Sequence, residues 1–548
     1  MVLLFVDTCV KQINPTMRIK QTLLSFLLVF SFATQLFSQQ TESFKNRKIV
    51  VLGSSVAAGW VTSYQEKYDM QNGYAYRLAR LLQPRGWEVI NISIPGFDTK
   101  GTIERFEGDV LPMEPGYVII GLSMSNEGLE SGDPDSVSLS YESGIRKLIG
   151  LCRENNIRPV VGLCYSNDNY TNEQYAYLKK MNRLIASWDV PSINFLGALD
   201  DGHGHFPEGY TFDPNHPDDR GHEEMFYAIV PDIFEALEAG KAATLPVRSD
   251  AEMLPLSGQV ITYVPSDVMH SFSLCFKFKT DGRANLISVK TPNAQNIVSV
   301  SANGMLAYED EEIKIGSGEK HHLTFTHQYL TESTIIYLDG KAVFKVHEQL
   351  EPLCFSIGDK NSSLEISNLL IYRAALNKEE VASLKEENWF NGSLEVASLI
   401  SENDFLIEGH ILTNHALSHG NANLLQQDLD NDISALQIKL MEAEEARRNE
   451  LRVEHRKAIE IDPTTLDQYE GSYEVEPGDN LVILKEENAL YLDDHGRKAE
   501  LLPEGNDRFF IHYPGDILVI FQRDENGNIS GLIFSINGRE MPARKLTL

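Results

Sequence analysis

The sequence predicts an α/β domain with a parallel sheet, followed by an antiparallel β-sandwich, a helical connector and a small β-domain. Three observations carry this reading. Between residues 45 and 240, short β-branched runs alternate with amphipathic helical stretches, the pattern of strands covered on both faces by crossover helices. From 260 to 375 the apolar period becomes two, with frequent turn residues, as in an antiparallel sandwich. Residues 463–548 return to short strands separated by Gly-containing turns. A chain of 548 residues has room for about three domains, each with a full core.

Residues 1–38 read as a leader. Arg18 and Lys20 precede an apolar run from Leu23 to Phe32, and Leu36-Phe37-Ser38 offers a cleavage site before Gln39. This is the layout of a bacterial export signal, and the expected destination is outside the cell or the periplasm. The apolar run is shorter than the ~20 residues a membrane span needs. In the first domain (45–240) the strands are KIVVLG, WEVINIS, YVIIGLS, RPVVGLCY and SINFLG, with helices expected near 74–84, 140–156, 172–188 and 222–238. Residues 241–259, with Pro, Gly and mixed charge, form a linker. The sandwich spans 260–375, and Asp339-Gly340 between alternating runs signals a hairpin. Residues 376–462 read as a helical connector whose heptad-like spacing fades after Ala446.

Lys and Arg number 48 against 79 Asp and Glu, a formal charge of −31. Such a surface repels phosphate backbones and excludes a general nucleic-acid binder. Five cysteines are too few for a disulfide scaffold. Cys152 and Cys164 read as core. Cys275 and Cys354 fall on the polar phase of their strands, compatible with either a disulfide or two free thiols.

The chemistry concentrates in the first domain. Ser54 and Ser55 follow a buried strand and precede a helix, at the carboxyl end of a parallel sheet where open α/β folds build their sites. The phosphate-loop pattern GxxxxGK[ST] is absent. Asp213 and His216, three apart in one loop, can set a carboxylate against one imidazole nitrogen and leave the other to take a proton from a serine hydroxyl. Gly96 after the second strand offers a backbone N–H, and Asn126 after the third offers a side-chain amide. With the Ser55 N–H these can form an oxyanion hole. The loop Asp201-Gly202-His203-Gly204-His205 has two imidazoles beside a carboxylate, but no third ligand is evident for a metal, and it reads as a polar loop near the pocket mouth.

Taken in order, Gly53-Ser54-Ser55, Gly96, Asn126 and Asp213-x-x-His216 resemble the four blocks of the SGNH (GDSL-type) hydrolases. The resemblance covers residues 48–240. It implies a flavodoxin-like parallel-sheet domain with Ser55 as nucleophile, His216 as general base and then acid, and Asp213 as its orienter. The oxyanion would be held by Ser55, Gly96 and Asn126. Two departures stand out: Ser54 replaces the usual Asp, and Met124-Ser125-Asn126-Glu127 stands where Gly-x-Asn-Asp is typical.

In the second domain, HHLTFTH, IIYLDGK and LEISNLLIYRAALNKEEVASL resemble laminin-G-like, concanavalin-type jelly rolls. That resemblance implies a sugar- or protein-binding sandwich, sometimes with calcium; a spacer packed on the first domain is the competing reading. The last unit looks like the small lipocalin-like half-barrels appended to bacterial serine hydrolases, with Tyr469, Tyr473, Phe509 and Phe510 as its core. The function expected from these resemblances is a secreted serine esterase removing an acyl group, acetyl foremost, from a carbohydrate or polysaccharide. The alternatives are a lipid or small-ester esterase and a non-catalytic glycan-binding protein.

Overall fold

The computed structural model describes residues 46–60, 72–245, 253–256, 258–401, 404, 412–419, 430–450, 458–459, 461–476, 479–486, 488–494, 497–513, 515–536 and 539–546. The leader lies outside them. Five parallel strands, β1 (Lys48–Gly53), β2 (Glu88–Asn91), β3 (Tyr117–Gly121), β4 (Arg158–Gly162) and β5 (Ser192–Ile193), form one sheet in the order β2-β1-β3-β4-β5. The inner strands read as continuous apolar runs because both faces are covered: Val50, Leu52, Val118 and Ile120 belong to one apolar cluster, and Ile49, Val51, Tyr117 and Ile119 to another.

The helices that position the site are α1 (Ser55–Ala58), α2 (Tyr74–Leu82), α3 (Thr99–Arg105), α4 (Pro134–Glu154), α5 (Asn172–Ala186), α6 (Leu196–Leu199), α7 (Asp219–Tyr227) and α8 (Ile233–Glu238). Helix α4 starts earlier than its apolar spacing suggests. Asp133 caps it, accepting from Ser136 N–H at 2.9 Å, and Pro134 occupies the first turn. The single helix expected over 222–238 is two helices. Pro231, which lacks an N–H, falls between them.

The second domain is a sandwich. One sheet has seven strands, running in order through Lys341–His347, Ser333–Leu338, His321–Gln328, Phe272–Thr280, Leu364–Tyr372 and Leu394–Ser398, with Leu254–Pro255 paired to Leu364–Tyr372. The facing sheet has six. Asp339 and Gly340 both have positive φ, 52° and 78°, and join the Ser333–Leu338 and Lys341–His347 strands. Asp339 also accepts from His322 N–H and meets His321 Nδ1, each at 2.9 Å. Strand Leu394–Ser398 falls inside the stretch expected to be a helical connector; of that stretch, Lys378–Lys385 and Asp430–Glu450 are helical. The strand was hidden because it is short and its Cα partners, Leu369 to Tyr372, lie at a distance in sequence.

The last unit is a closed barrel of eight antiparallel strands, not a half-barrel. Its first and last strands pair through Tyr473 with Lys545 and Glu474 with Arg544. Tyr469, Tyr473 and Phe509 fill its core; Phe510, expected with them, is buried but lies outside that apolar cluster.

The outer face of the seven-stranded sheet packs on the first domain. Cys275, Tyr337, Leu370 and Tyr372 join the same apolar cluster as Leu148, Leu178 and Ile185 of the α/β domain. Cys275 therefore sits on a polar phase by local pattern yet is fully buried, because that face meets another domain rather than water. All four described cysteines are free and buried, and burial pushes the Cys152 and Cys275 thiols up to about 12. The free edge of β5 is closed by the second domain. Ser393 N–H donates to Ser192 carbonyl (3.1 Å), Ser192 N–H donates to Asn391 Oδ1 (3.0 Å), and Asn194 N–H donates to Ser393 Oγ (2.7 Å).

Candidate active site

Ser55 opens α1 at the end of β1. The turn is tight: Ser54 is extended (φ −105°, ψ −155°), and its N–H donates to the Gly121 carbonyl of β3 at 3.3 Å. A side chain at Gly53 would lie 2.2 Å from that same carbonyl oxygen and 2.6 Å from Ala57 Cβ, so only glycine lets β1, β3 and α1 approach this closely. Ser55 is 9% exposed.

Its hydroxyl lies 2.9 Å from His216 Nε2. His216 Nδ1 is 2.9 and 2.8 Å from the two carboxylate oxygens of Asp213. A carboxylate only accepts, so Nδ1 carries the proton and Nε2 accepts from the serine hydroxyl. Asp213 and His216 face each other across a hairpin of β6 (Thr211–Asp213) and β7 (His216–Pro217), and Asn215 N–H donates to Asp213 Oδ1 at 2.7 Å, closing the turn. Three residues separated by up to 161 positions are thus joined in one series. Helix α7 follows directly, capped by Asp218, which accepts from Arg220 and Gly221 N–H groups. On α7, His222 is fully buried and accepts from Tyr74 N–H at 3.3 Å; burial holds it down at about 3 and keeps it neutral.

β2 and β3 flank β1 in the sheet, so the loops that follow them leave from the same sheet end as Ser55, and Ile94 N–H in the first of them donates to the Gly53 carbonyl at 3.0 Å. Gly96 adopts φ +82° and has open space around it, and Asn126 is half-buried. Among the described residues neither the Gly96 N–H nor the Asn126 amide meets a protein hydrogen-bond partner, so both can receive an oxygen.

Glu127, a departure from the usual pattern, joins these two loops. Its carboxylate accepts from Thr99 N–H (3.0 Å), Thr99 Oγ (2.7 Å) and Ser140 Oγ (2.8 Å). It therefore ties the start of α3, three residues beyond Gly96, to the position next to Asn126. Ser54, the other departure, is fully buried with no partner for its hydroxyl among the described residues.

Sequence reasoning also missed a polar wall beside the hairpin. Asn167 Nδ2 sits within reach of Ser125 Oγ (3.1 Å), Glu130 Oε1 (2.8 Å) and Asn215 Oδ1 (3.0 Å), and Asn169 Nδ2 donates to Asn215 Oδ1 at 3.0 Å. The available signal was Asn167-Asp168-Asn169 just beyond β4, another strand end. The loop 201–205 is organised by its own carboxylates. Asp201 Oδ1 accepts from His203 and His205 N–H groups, and His205 Nε2 meets the Tyr170 carbonyl at 3.0 Å. Among the described residues no group of three or more His, Cys, Asp or Glu side chains is placed to hold a metal ion, and no helix is long and apolar enough to cross a membrane.

A parallel α/β sheet with a buried serine at the end of β1, joined to a histidine and a carboxylate, defines a serine hydrolase. More particularly, residues 51–224 match the GDSL-like Lipase/Acylhydrolase family, and this domain is an SGNH-type acylhydrolase. Residues 455–545 match a domain of unknown function, DUF3471. No curated protein matches the chain. Similar solved structures include a GDSL-like lipase from Bacteroides thetaiotaomicron (16% identity, covering 37% of this chain and 97% of that one, TM-score 0.28). Others are the psychrotrophic esterase EstA from Pseudoalteromonas sp. (18%, 35% and 98%, 0.28) and LAE5, an alpha/beta hydrolase enzyme from the metagenome of Lake Arreo (18%, 35% and 94%, 0.28).

Proposed function

We propose that the protein is a secreted serine esterase that removes acyl groups, acetyl foremost, from a carbohydrate or polysaccharide. The observation that supports the chemistry is the hydrogen-bond series Asp213–His216–Ser55. Ser55 Oγ attacks the ester carbonyl as its proton passes to His216 Nε2. The N–H groups of Ser55 and Gly96 and the Asn126 amide hold the oxyanion, and His216 returns the proton to the departing sugar hydroxyl. Water then repeats the sequence on the acyl-serine, releasing the acid and restoring Ser55. Asp213 keeps the imidazole in the right tautomer and stabilises its charged form.

A hydroxyl-rich substrate is supported by the amide and carboxylate wall of Glu130, Asn167, Asn169 and Asn215 beside the hairpin, which offers polar partners rather than an acyl-chain groove. Secretion is supported by the basic-then-apolar leader. The test is acetate released from a panel of acetylated polysaccharides by wild type and Ser55→Ala. Release that vanishes in the variant is expected. Cleavage confined to long-chain nitrophenyl esters would replace the carbohydrate by lipid, and glycan binding without any turnover would make this a binding protein.

A further inference from the structure

The barrel's apolar cluster is built from residues between Ile461 and Ala543, with one exception among the described residues: Phe212 of the hydrolase domain packs against it. Phe212 directly precedes Asp213. Within the β6–β7 hairpin, Thr211 pairs with Pro217 and Asp213 with His216, so Phe212 is the extra residue of a bulge. A bulge redirects its side chain away from the regular ladder, here toward the barrel, while Asp213 turns to His216. The hairpin is only three residues against two, and so short a ribbon has little stability of its own. One flank is held by the amides of Asn167 and Asn169 on Asn215 and by Asp168 N–H on the Pro214 carbonyl (2.9 Å). The base is closed by Asp218 N–H on the Tyr210 carbonyl (3.0 Å), and on the barrel side the hairpin presents Phe212.

We propose that the C-terminal barrel is a positioning domain for the acid–base arm: by holding Phe212 it aims Asp213 and His216 at Ser55. In this reading Phe212 acts through Asp213 and His216, as a positioning residue. The proposal rests on Ser55 being the nucleophile and gives the domain of unknown function a task in turnover. A hairpin freed on that side shifts about its remaining anchors, and the serine–histidine distance of 2.9 Å is no longer kept. Small displacements at such a contact lower the rate without altering substrate affinity.

The test compares wild type, Phe212→Ala and Phe212→Leu as full chains, by labelling of Ser55 with a fluorophosphonate and by kcat and KM on 4-nitrophenyl acetate. In Phe212→Ala, labelling and kcat fall at least tenfold while KM stays within threefold and the melting temperature of the α/β domain is unchanged. Phe212→Leu, which keeps apolar bulk without the ring, falls threefold to fivefold. Labelling of Phe212→Ala at the wild-type rate overturns the proposal. Should that variant fail to fold, wild-type labelling of Phe212→Leu overturns it instead. Absence of Ser55 labelling in the wild type would refute the serine mechanism itself, a result distinct from either.

Discussion

Replacing Glu127 by Ala separates what holds the fold from what holds the reacting groups. The carboxylate accepts three hydrogen bonds, two of them from Thr99, which is 2% exposed. In the variant the Thr99 N–H and hydroxyl lose their acceptor in a buried setting, at about 1–3 kcal/mol each. Ser140 lies at the surface and turns to water. The loss in unfolding free energy is therefore about 2–4 kcal/mol once water partly fills the gap. The same carboxylate fixes the spacing between the Gly96 loop and Asn126. Full removal of one oxyanion donor costs about 2.7–4 kcal/mol of transition-state stabilisation. A displaced pair loses part of this, so kcat on 4-nitrophenyl acetate falls roughly 10- to 100-fold, about 1.4–2.7 kcal/mol, with KM within threefold. Glu127→Gln keeps the shape: its oxygen can stay on Thr99 N–H while its NH2 faces the Thr99 and Ser140 hydroxyls, which turn to accept, so only the charge is lost and the effect falls between. Urea unfolding reads the first quantity and steady-state kinetics the second. A Glu127→Ala protein destabilised as stated but retaining kcat within twofold would refute the link between this carboxylate and the oxyanion groups.

Ser54→Ala removes a buried hydroxyl without a partner; stability rises by up to about 1 kcal/mol and kcat stays within twofold, whereas a large loss of kcat would put that hydroxyl in the reaction. Gly197→Ala places a methyl 2.7 Å from Ala374 Cβ and 2.8 Å from the Ala375 carbonyl oxygen, so unfolding free energy drops by about 1–3 kcal/mol, checked by urea titration. Burial holds His222 and His327 down at about 3 and His322 at about 4, below the unfolded value near 6.5. The unfolded chain takes these protons first, so their stabilisation is complete above pH 6.5 and is lost as pH falls, toward 4 for His322 and toward 3 for His222 and His327, about 2 kcal/mol per histidine at pH 5. Glu380, which burial raises to about 7, works the other way, regaining stability as pH falls from 7 toward 4.5. Asp168, Asp200 and Asp218, also raised by burial, act with Glu380; the three histidines are expected to set the sign, so the melting temperature at pH 5 lies below that at pH 7.5, and an equal or higher value would contradict the assigned burial of the histidines.

Ser55, Asp213 and His216 could be read from sequence because each sits in a short local pattern whose chemistry is explicit: a serine after a buried strand, an Asp and His three apart. The parallel sheet was legible for the same reason, its strands being continuous apolar runs. What escaped the reading depends on distant neighbours. Glu127 looked like a mere departure until Thr99, 28 positions away, was found against it. Cys275 obeyed its strand's alternation, but the face it occupies is roofed by another domain. Closure of the barrel requires Tyr473 to find Lys545, and no property of either segment alone announces it. Phe212 gave no signal because an aromatic next to an aspartate is indistinguishable from any other until its partner cluster is known.

Strand β5 has consequences for how this protein can be cut and recombined. It is a two-residue edge whose outward N–H and C=O groups are capped by Asn391 and Ser393, nearly 200 positions downstream. An excised hydrolase segment ending near residue 245 would bare that edge, together with the apolar flank that Cys275, Leu370 and Tyr372 cover. Unpaired edges beside exposed apolar surface recruit other chains. For expression the α/β segment and the sandwich are consequently best handled as one unit: a truncated enzyme needs a substitute cap on β5 and a cover for that apolar flank.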